Sequence, residues 1–289
     1  GSRVTVVGAV KDGIHVNDAV VIGGGILNIT ATDDGIQCEK GPISVTVGRT
    51  TVITTGNAVY EDSDISSSSC INSGTTFAMT AGTVLLKSSG SAGKGLNCDG
   101  EIYLYGGTLR VVTTGKQYVY GRLDSSAKGI KSKSSLTIES GTIWVRATGG
   151  EGSEGIESKN VMTINGGDIA VYAYDDCLNA SNNITINGGS VYCYSTGNDG
   201  VDSNGTLTIT GGTVVASGTA SPEDGFDCDQ NTFKITGGTV LGIGGRTSTP
   251  TANSCTQRSV IYGGSGSAGQ YIGIQSSDGT NLMTYMIPR

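Results

Sequence analysis

Nine copies of one short unit run through the chain, and a repeat at this period is the signature of a solenoid. The clearest copies read DGVDS over residues 199–203 followed by LTITGGT over 207–213, and DGFDC over 224–228 followed by FKITGGT over 233–239. Earlier copies begin at Asp12, Asp34, Ser69, Lys94, Lys128, Glu154 and Asp176. Length alone would allow two ordinary domains in 289 residues, but a repeat spanning nearly all of them implies one continuous body.

Taking the apolar residue of each motif as origin gives Ile14, Ile36, Ile71, Leu96, Ile130, Ile156, Leu178, Val201 and Phe226. In seven of the nine copies, small or apolar residues follow at offsets 6, 8, 13 and 15, as Leu136, Ile138, Ile143 and Val145 do after Ile130. Even spacing within each run is the period of a strand with alternate residues facing inward. Between offsets 8 and 13 stands a glycine pair, such as Gly166-Gly167, where positive φ permits a sharp corner. Each copy therefore reads as three short strands and two corners. The shortest steps between origins are 22 and 23 residues, enough for one coil.

Coils of this kind stack in parallel at ~4.8 Å, so nine make a rod of roughly 40 Å. The expected fold is all-β: a single-stranded right-handed parallel β-helix of about nine coils, the hand following from the crossover rule. Copy two, around residues 48–52, and a site near Asn231 depart from the pattern. The helix is expected over 1–243, with 244–289 a C-terminal cap packed on the same body and blocking its open end. Insertions at about 53–68, 113–127, 147–153 and 217–223 emerge from one corner, and such clustering often marks a binding side.

Forty-eight glycines and only four prolines, with abundant Thr, Ser, Val and Ile, agree with many short strands. Eighteen basic against 25 acidic residues, net -7, argue against nucleic acid and anionic membranes as partners. No apolar run approaches the ~20 residues of a membrane span, so no membrane insertion is expected. Seven cysteines make an odd count. Cys38, Cys98 and Cys228 stand two residues after the origin, where Ser73, Ser132, Ser158 and Ser203 stand in other copies. Buried single thiols acting as small hydrophobes are expected, with a Cys228–Cys255 bridge to the cap as the alternative.

Acids precede the motif glycine or its equivalent at Asp12, Asp34, Glu154, Asp176, Asp199 and Asp224, and a second set follows the origin at Glu157, Asp202 and Asp227, with Asn179 among them. In-register stacking sets like charges ~5 Å apart, which is destabilising without compensation. A hard cation taking oxygen ligands would compensate, and Asp176, Asn179, Asp199, Asp202, Asp224 and Asp227 are the candidate Ca2+ ligands. Acids that splay into solvent at Asp-Gly turns are the alternative. Lys94 and Lys128 replace the acid on neighbouring coils, with Lys131 and Lys133 close by. A basic stretch beside an acidic one suits an anionic polymer bridged partly by calcium; a solvated face is the other reading.

In the third strand, offsets 14 and 16 point outward. They place Arg110, Trp144, Tyr192 and Arg146, Tyr172, Tyr194 together on one outer face. Flat aromatics pack on sugar rings and arginines pair with carboxylates, so these six are the candidate carbohydrate-binding residues; sheet stabilisation without a ligand is the alternative. Catalysis has little to recommend it. His15 is the only histidine and lies in the first coil, and Asp175-Asp176 would point to opposite faces of a strand. Lys128, Lys131 and Arg146 are the candidates for a lyase base, and nothing singles one out.

The D-G-Φ-x-S/C unit followed by Φ-T-I-x-G-G-T, repeated from Lys11 to about Ile243, resembles a family of secreted bacterial carbohydrate-binding β-helix proteins. That family looks like pectate lyases in fold. The resemblance implies calcium and acidic or cellulosic plant polysaccharide as partners, with Asp176, Asp199, Asp202, Asp224 and Asp227 as metal ligands. The Lys94 and Lys128 copies depart from its acidic motif. The expectation is a calcium-dependent, non-catalytic polysaccharide binder, secreted or at the cell surface with any leader removed, and monomeric. A polysaccharide lyase of pectate-lyase type is the runner-up, and a structural adhesin or surface module is third.

Overall fold

Alternation of inward and outward side chains in each copy produces three parallel sheets. The computed structural model describes residues 1–288 and stacks nine strands, from Ile14–Val16 to Phe226–Asp227, into what is here called the motif sheet. Nine more, from Val20–Ile22 to Phe233–Ile235, form the second sheet, and ten, from Arg3–Ala9 to Thr239–Ile243, form the third. Register is strict: Ile71, Leu96, Ile130, Ile156, Leu178 and Val201 pair in succession, so the motif origins form one apolar column. Their side chains, with those at the other inward offsets, make one buried core. The parallel β-helix read from the repeat is the fold.

Copy two keeps the register by one extra residue in a corner. Ile36 pairs with Ile71, yet Ile43 and Val45, one position later than the pattern, pair with Phe77 and Met79. The second corner of each coil turns on a glycine with positive φ, for example Gly107 at 88°, Gly189 at 87° and Gly212 at 83°. The motif glycine has a different cause. A Cβ on Gly35 would lie 2.0 Å from Val52 Cγ1, and one on Gly95 2.1 Å from Val111 Cγ1. A β-branched residue of the third sheet fills the space a side chain would need. Where this column carries Cys70 or Cys177, the facing residue is Leu86 or Cys193, neither of which branches at Cβ.

The serine–cysteine column closes the first corner. Ser73, Ser132, Ser158 and Ser203 each donate to the carbonyl three residues on, at 2.8, 3.1, 2.9 and 3.3 Å. Cys98 and Cys228 make the same contact through sulfur, at 3.4 and 3.6 Å. All seven cysteines are free thiols, so the alternative of a Cys228–Cys255 bridge is not realised. Cys255 Sγ instead accepts from Ile235 N at 3.3 Å and donates to Phe233 O at 3.5 Å.

Contacts divide the chain into two compact units, Gly1–Gln257 and Arg258–Arg289. The boundary falls beyond residue 243 because the next segment bonds to the ninth coil: Thr251 N donates to Phe233 O at 2.8 Å and Thr256 N to Ile235 O at 3.1 Å. The second unit contains an antiparallel hairpin, Tyr271–Gln275 with Asn281–Met286. Two insertions also form hairpins, Val59–Glu61 with Asp64–Ser66 and Tyr118–Tyr120 with Leu123–Ser125. Both leave the corner between third and motif sheets, and Tyr60 stacks on Tyr120 with centroids 4.0 Å apart. Among the described residues no helix is long and apolar enough to cross a membrane.

Replacing Ser132 by Ala removes the corner donor and should cost ~1 kcal/mol of stability, whereas Ser132→Cys should cost less than half of that. Urea denaturation of both variants measures the difference; equal losses would show that the column is filled for size alone.

Candidate functional site

The outward column of the motif sheet runs Asn72, Asn97, Lys131, Glu157, Asn179, Asp202, Asp227 in register. Beside it runs the column that precedes the motif glycine. There the acids do not simply repel, because Asp12, Asp34, Asp176 and Asp199 each reach the backbone of the next coil. Asp12 Oδ1 accepts from Asp34 N at 3.0 Å and Asp34 Oδ1 from Ser69 N at 2.6 Å. Asp176 Oδ1 accepts from Asp199 N at 3.1 Å, and Asp199 Oδ1 from Asp224 N. The second oxygens meet amides: Asn72 Nδ2 donates to Asp34 Oδ2 at 2.7 Å, and Asn179 Nδ2 donates to Asp176 Oδ2 at 3.0 Å and Asp202 Oδ2 at 2.9 Å.

Of the six proposed calcium ligands, the fold gathers three. Oxygens of Asp199, Asp202 and Asp227 all lie within 4.8 Å of one another. Asp176 is held one coil away by Asn179, which acts as a donor between carboxylates. Asp224 faces Arg246, whose Nε lies 3.9 Å from its Oδ1. Burial first, then neighbouring carboxylates, pushes Asp176 up to about 9 and Asp202 to about 7. Asp199 rises to about 7 through burial, although the Asp224 N–H favours its charged form. The triad fits a hard cation, since calcium–oxygen bonds of about 2.4 Å allow ligand oxygens up to ~5 Å apart.

Toward the middle coils the same columns change sign. Glu157, 1% exposed, is ringed by Lys131 at 3.3 Å, Lys128 at 3.9 Å and Lys159 in direct contact. Burial alone would raise its carboxyl, but Lys128, Lys131 and Lys159 hold it below the usual carboxylate range. Lys128 also pairs directly with Glu154. Two grooves of about 340 and 290 Å³ lie along this stretch, overhung by the hairpins and sharing Ser125 and Lys131. Lys133 pairs with Asp99 at 2.7 Å.

The predicted aromatic strip lies on a different face, the third sheet. Arg110 pairs with Trp144, Arg146 with Tyr172, and Tyr172 with Tyr194, while Ala170 stands between Trp144 and Tyr192. The six are contiguous but tilted. Arg110 Cζ sits 4.4 Å over the Trp144 ring, Trp144 and Tyr172 meet at 46°, and Tyr172 meets Tyr192 at 52° and Tyr194 at 65°. A guanidinium thus covers one face of the tryptophan. His15 is exposed and paired with Asp12 at 2.7 Å and Glu39 at 2.9 Å. Asp175 accepts from Gly152 N and Asn198 Nδ2, both at 2.6 Å, turned away from the Asp176 contacts.

Sequence spacing missed the backbone ladder under the acids and the neutral wall of Ser67, Asn97 and Ser125. Only the hairpin insertions, already confined to one corner, pointed there.

These features define a parallel β-solenoid whose motif face carries grooves, ammonium groups and an acidic triad. A family model described as "Carbohydrate-binding domain-containing protein" matches residues 1–150 and 121–200, well over half of the chain. The chain belongs to that family, which makes carbohydrate its partner class. No curated protein and no solved structure matches it.

Asp34 tests the ladder away from the triad. Burial raises its carboxyl from 3.8 to about 7, partly opposed by the Asn72 and Ser69 bonds. A raised carboxylate favours the protonated folded form, so its contribution is full below pH 3.8 and is lost as pH rises through about 7. The interval sets a ceiling of ~4 kcal/mol. Wild type should therefore lose stability relative to Asp34→Asn between pH 4 and 8, measured as the difference in urea midpoints; a flat difference would remove Asp34 from the account.

Proposed function

We propose that the protein is a non-catalytic binder of acidic polysaccharide, acting outside the cell or at its surface, with affinity assisted by calcium. The observation that carries this reading is the continuity of the motif face. Lys131 and Asp202 occupy one outward column three coils apart, ~14 Å along the axis at the usual strand spacing. A polymer laid along that column would meet ammonium groups first and a divalent-ion clamp next. Calcium bound by Asp199, Asp202 and Asp227 would neutralise the triad and leave coordination positions for polymer oxygens.

A lyase reading has less support. Lys128 and Lys131 are engaged with Glu154 and Glu157, and Arg146 stands on another sheet. Polygalacturonate incubated with the protein should release no unsaturated, ultraviolet-absorbing sugar; release would replace binding by elimination.

Two measurements test the binding reading. At calcium a hundred times its Kd, linkage gives ~2.7 kcal/mol of stabilisation, a rise of several degrees in melting temperature. Asp202→Asn should abolish that rise, and an unchanged melting temperature of wild type with calcium would sink the metal site. Retention on pectin and cellulose columns tests the surface. Trp144→Ala should leave retention within twofold if the motif face binds; a tenfold loss at unchanged melting temperature would move the site to the aromatic strip, whose contiguous Trp144, Tyr172, Tyr192 and Tyr194 are the observation favouring it.

A further inference from the structure

Lys94 differs from every other lysine that lines the two grooves. Lys128, Lys131, Lys133 and Lys159 each have a carboxylate partner, and Lys94 has none among the described residues. It is 9% exposed and donates only to neutral acceptors: Ala92 O at 2.9 Å, Ser67 Oγ at 2.5 Å and Ser125 Oγ at 3.4 Å. A buried ammonium with no carboxylate in contact is costly, and burial, then Lys131 and Lys128, draw its pKa down to about 8 against the weaker, more distant pull of Asp34 and Glu157.

The serines tell where the missing charge belongs. Each spends a lone pair on Lys94 and keeps its own O–H, which has no acceptor among the described residues. Ser67 follows the first hairpin and Ser125 ends the second, so the stacked pair Tyr60 and Tyr120 ties together the two elements that carry them. Both hydroxyls line the groove of about 290 Å³, with Lys131 and Lys133 at its rim and Asp64 as its only carboxylate. Asn97 lines it too, and its Oδ1 is buried without a hydrogen-bond partner. Two polarised O–H donors over an unneutralised ammonium form a receptor for an anion, and the amide oxygen is an acceptor for a neighbouring hydroxyl.

We propose that the groove between the hairpins is a subsite for one uronic-acid residue, whose carboxylate accepts from Ser67 and Ser125 above Lys94 and whose hydroxyl donates to Asn97. The subsite rests on the polysaccharide reading and adds to it the acidic sugar recognised and the residues that recognise it, independently of calcium.

Calorimetric titration with trigalacturonate and its methyl ester, in calcium-free buffer, tests it. Wild type should bind the acid at least tenfold more tightly than the ester, the equivalent of ~1.4 kcal/mol. Lys94→Met, close in size and without charge, should erase that preference at an unchanged melting temperature. Should Lys94→Met fail to fold, the double variant Ser67→Ala, Ser125→Ala carries the same expectation. Equal binding of acid and ester by wild type, or an undiminished preference in the variants, overturns the subsite while leaving polysaccharide binding intact. Failure of wild type to bind any acidic or neutral oligomer or polymer overturns both.

Discussion

Everything in this protein follows from stacking in register. Each coil repeats the last at ~4.8 Å, so every side chain lies over its counterpart and a residue good at one offset must tolerate its own copy above and below. Branched aliphatics do so by packing, which is why the inward offsets carry Ile, Val and Leu from one end of the solenoid to the other. Asparagine does so by donating to its copy: Asn187 Nδ2 to Asn165 Oδ1 at 2.8 Å, and Asn182 Nδ2 to Asn160 Oδ1 at 2.9 Å. Charge is the one property that gains nothing from repetition.

The motif face handles charge in three ways. Asp12, Asp34, Asp176 and Asp199 turn one oxygen to a backbone N–H of the following coil and exchange repulsion for a hydrogen bond. The middle coils alternate sign, so that Lys128, Lys131 and Lys159 enclose Glu157. Two places have no oppositely charged side chain in contact among the described residues: the triad of Asp199, Asp202 and Asp227, and Lys94. They lie on one face and have opposite signs, the complementarity an acidic polymer bridged by calcium would satisfy.

Most of the fold was legible because its rules are one-dimensional. Offsets 6, 8, 13 and 15 state which residues face inward, and the glycine pairs mark the corner where Gly107 and its equivalents take positive φ. The site was legible only as columns. Spacing brought Asp199, Asp202 and Asp227 together, yet it placed Asp176 and Asn179 in the same cluster. Which oxygen turns to the next coil's N–H depends on corner geometry that sequence spacing does not carry. The cap was expected from the loss of period at residue 244, but segments can follow the last coil without repeating it, as Thr251 and Thr256 do. In the sequence Lys94 is one more lysine in a basic stretch, since the absence of a carboxylate partner is a fact about neighbours brought in by inserted hairpins.

The aromatic strip shows how a column can meet its own needs. Register puts Arg110, Trp144, Tyr172, Tyr192 and Tyr194 side by side as the sequence implied. The strip then satisfies itself: the guanidinium lies on the indole, and the rings meet tilted or, for Tyr172 and Tyr194, edge to face, geometries worth about 0.5–1.5 kcal/mol each without any ligand. A sugar stacking on Trp144 from the Arg110 side would have to displace a cation already bound there. The triad and Lys94 are in the opposite position, since each carries a charge that binding would neutralise. Where one surface has met its own needs and another has not, the unsatisfied surface has more to gain from a ligand, and on this solenoid that surface is the motif face.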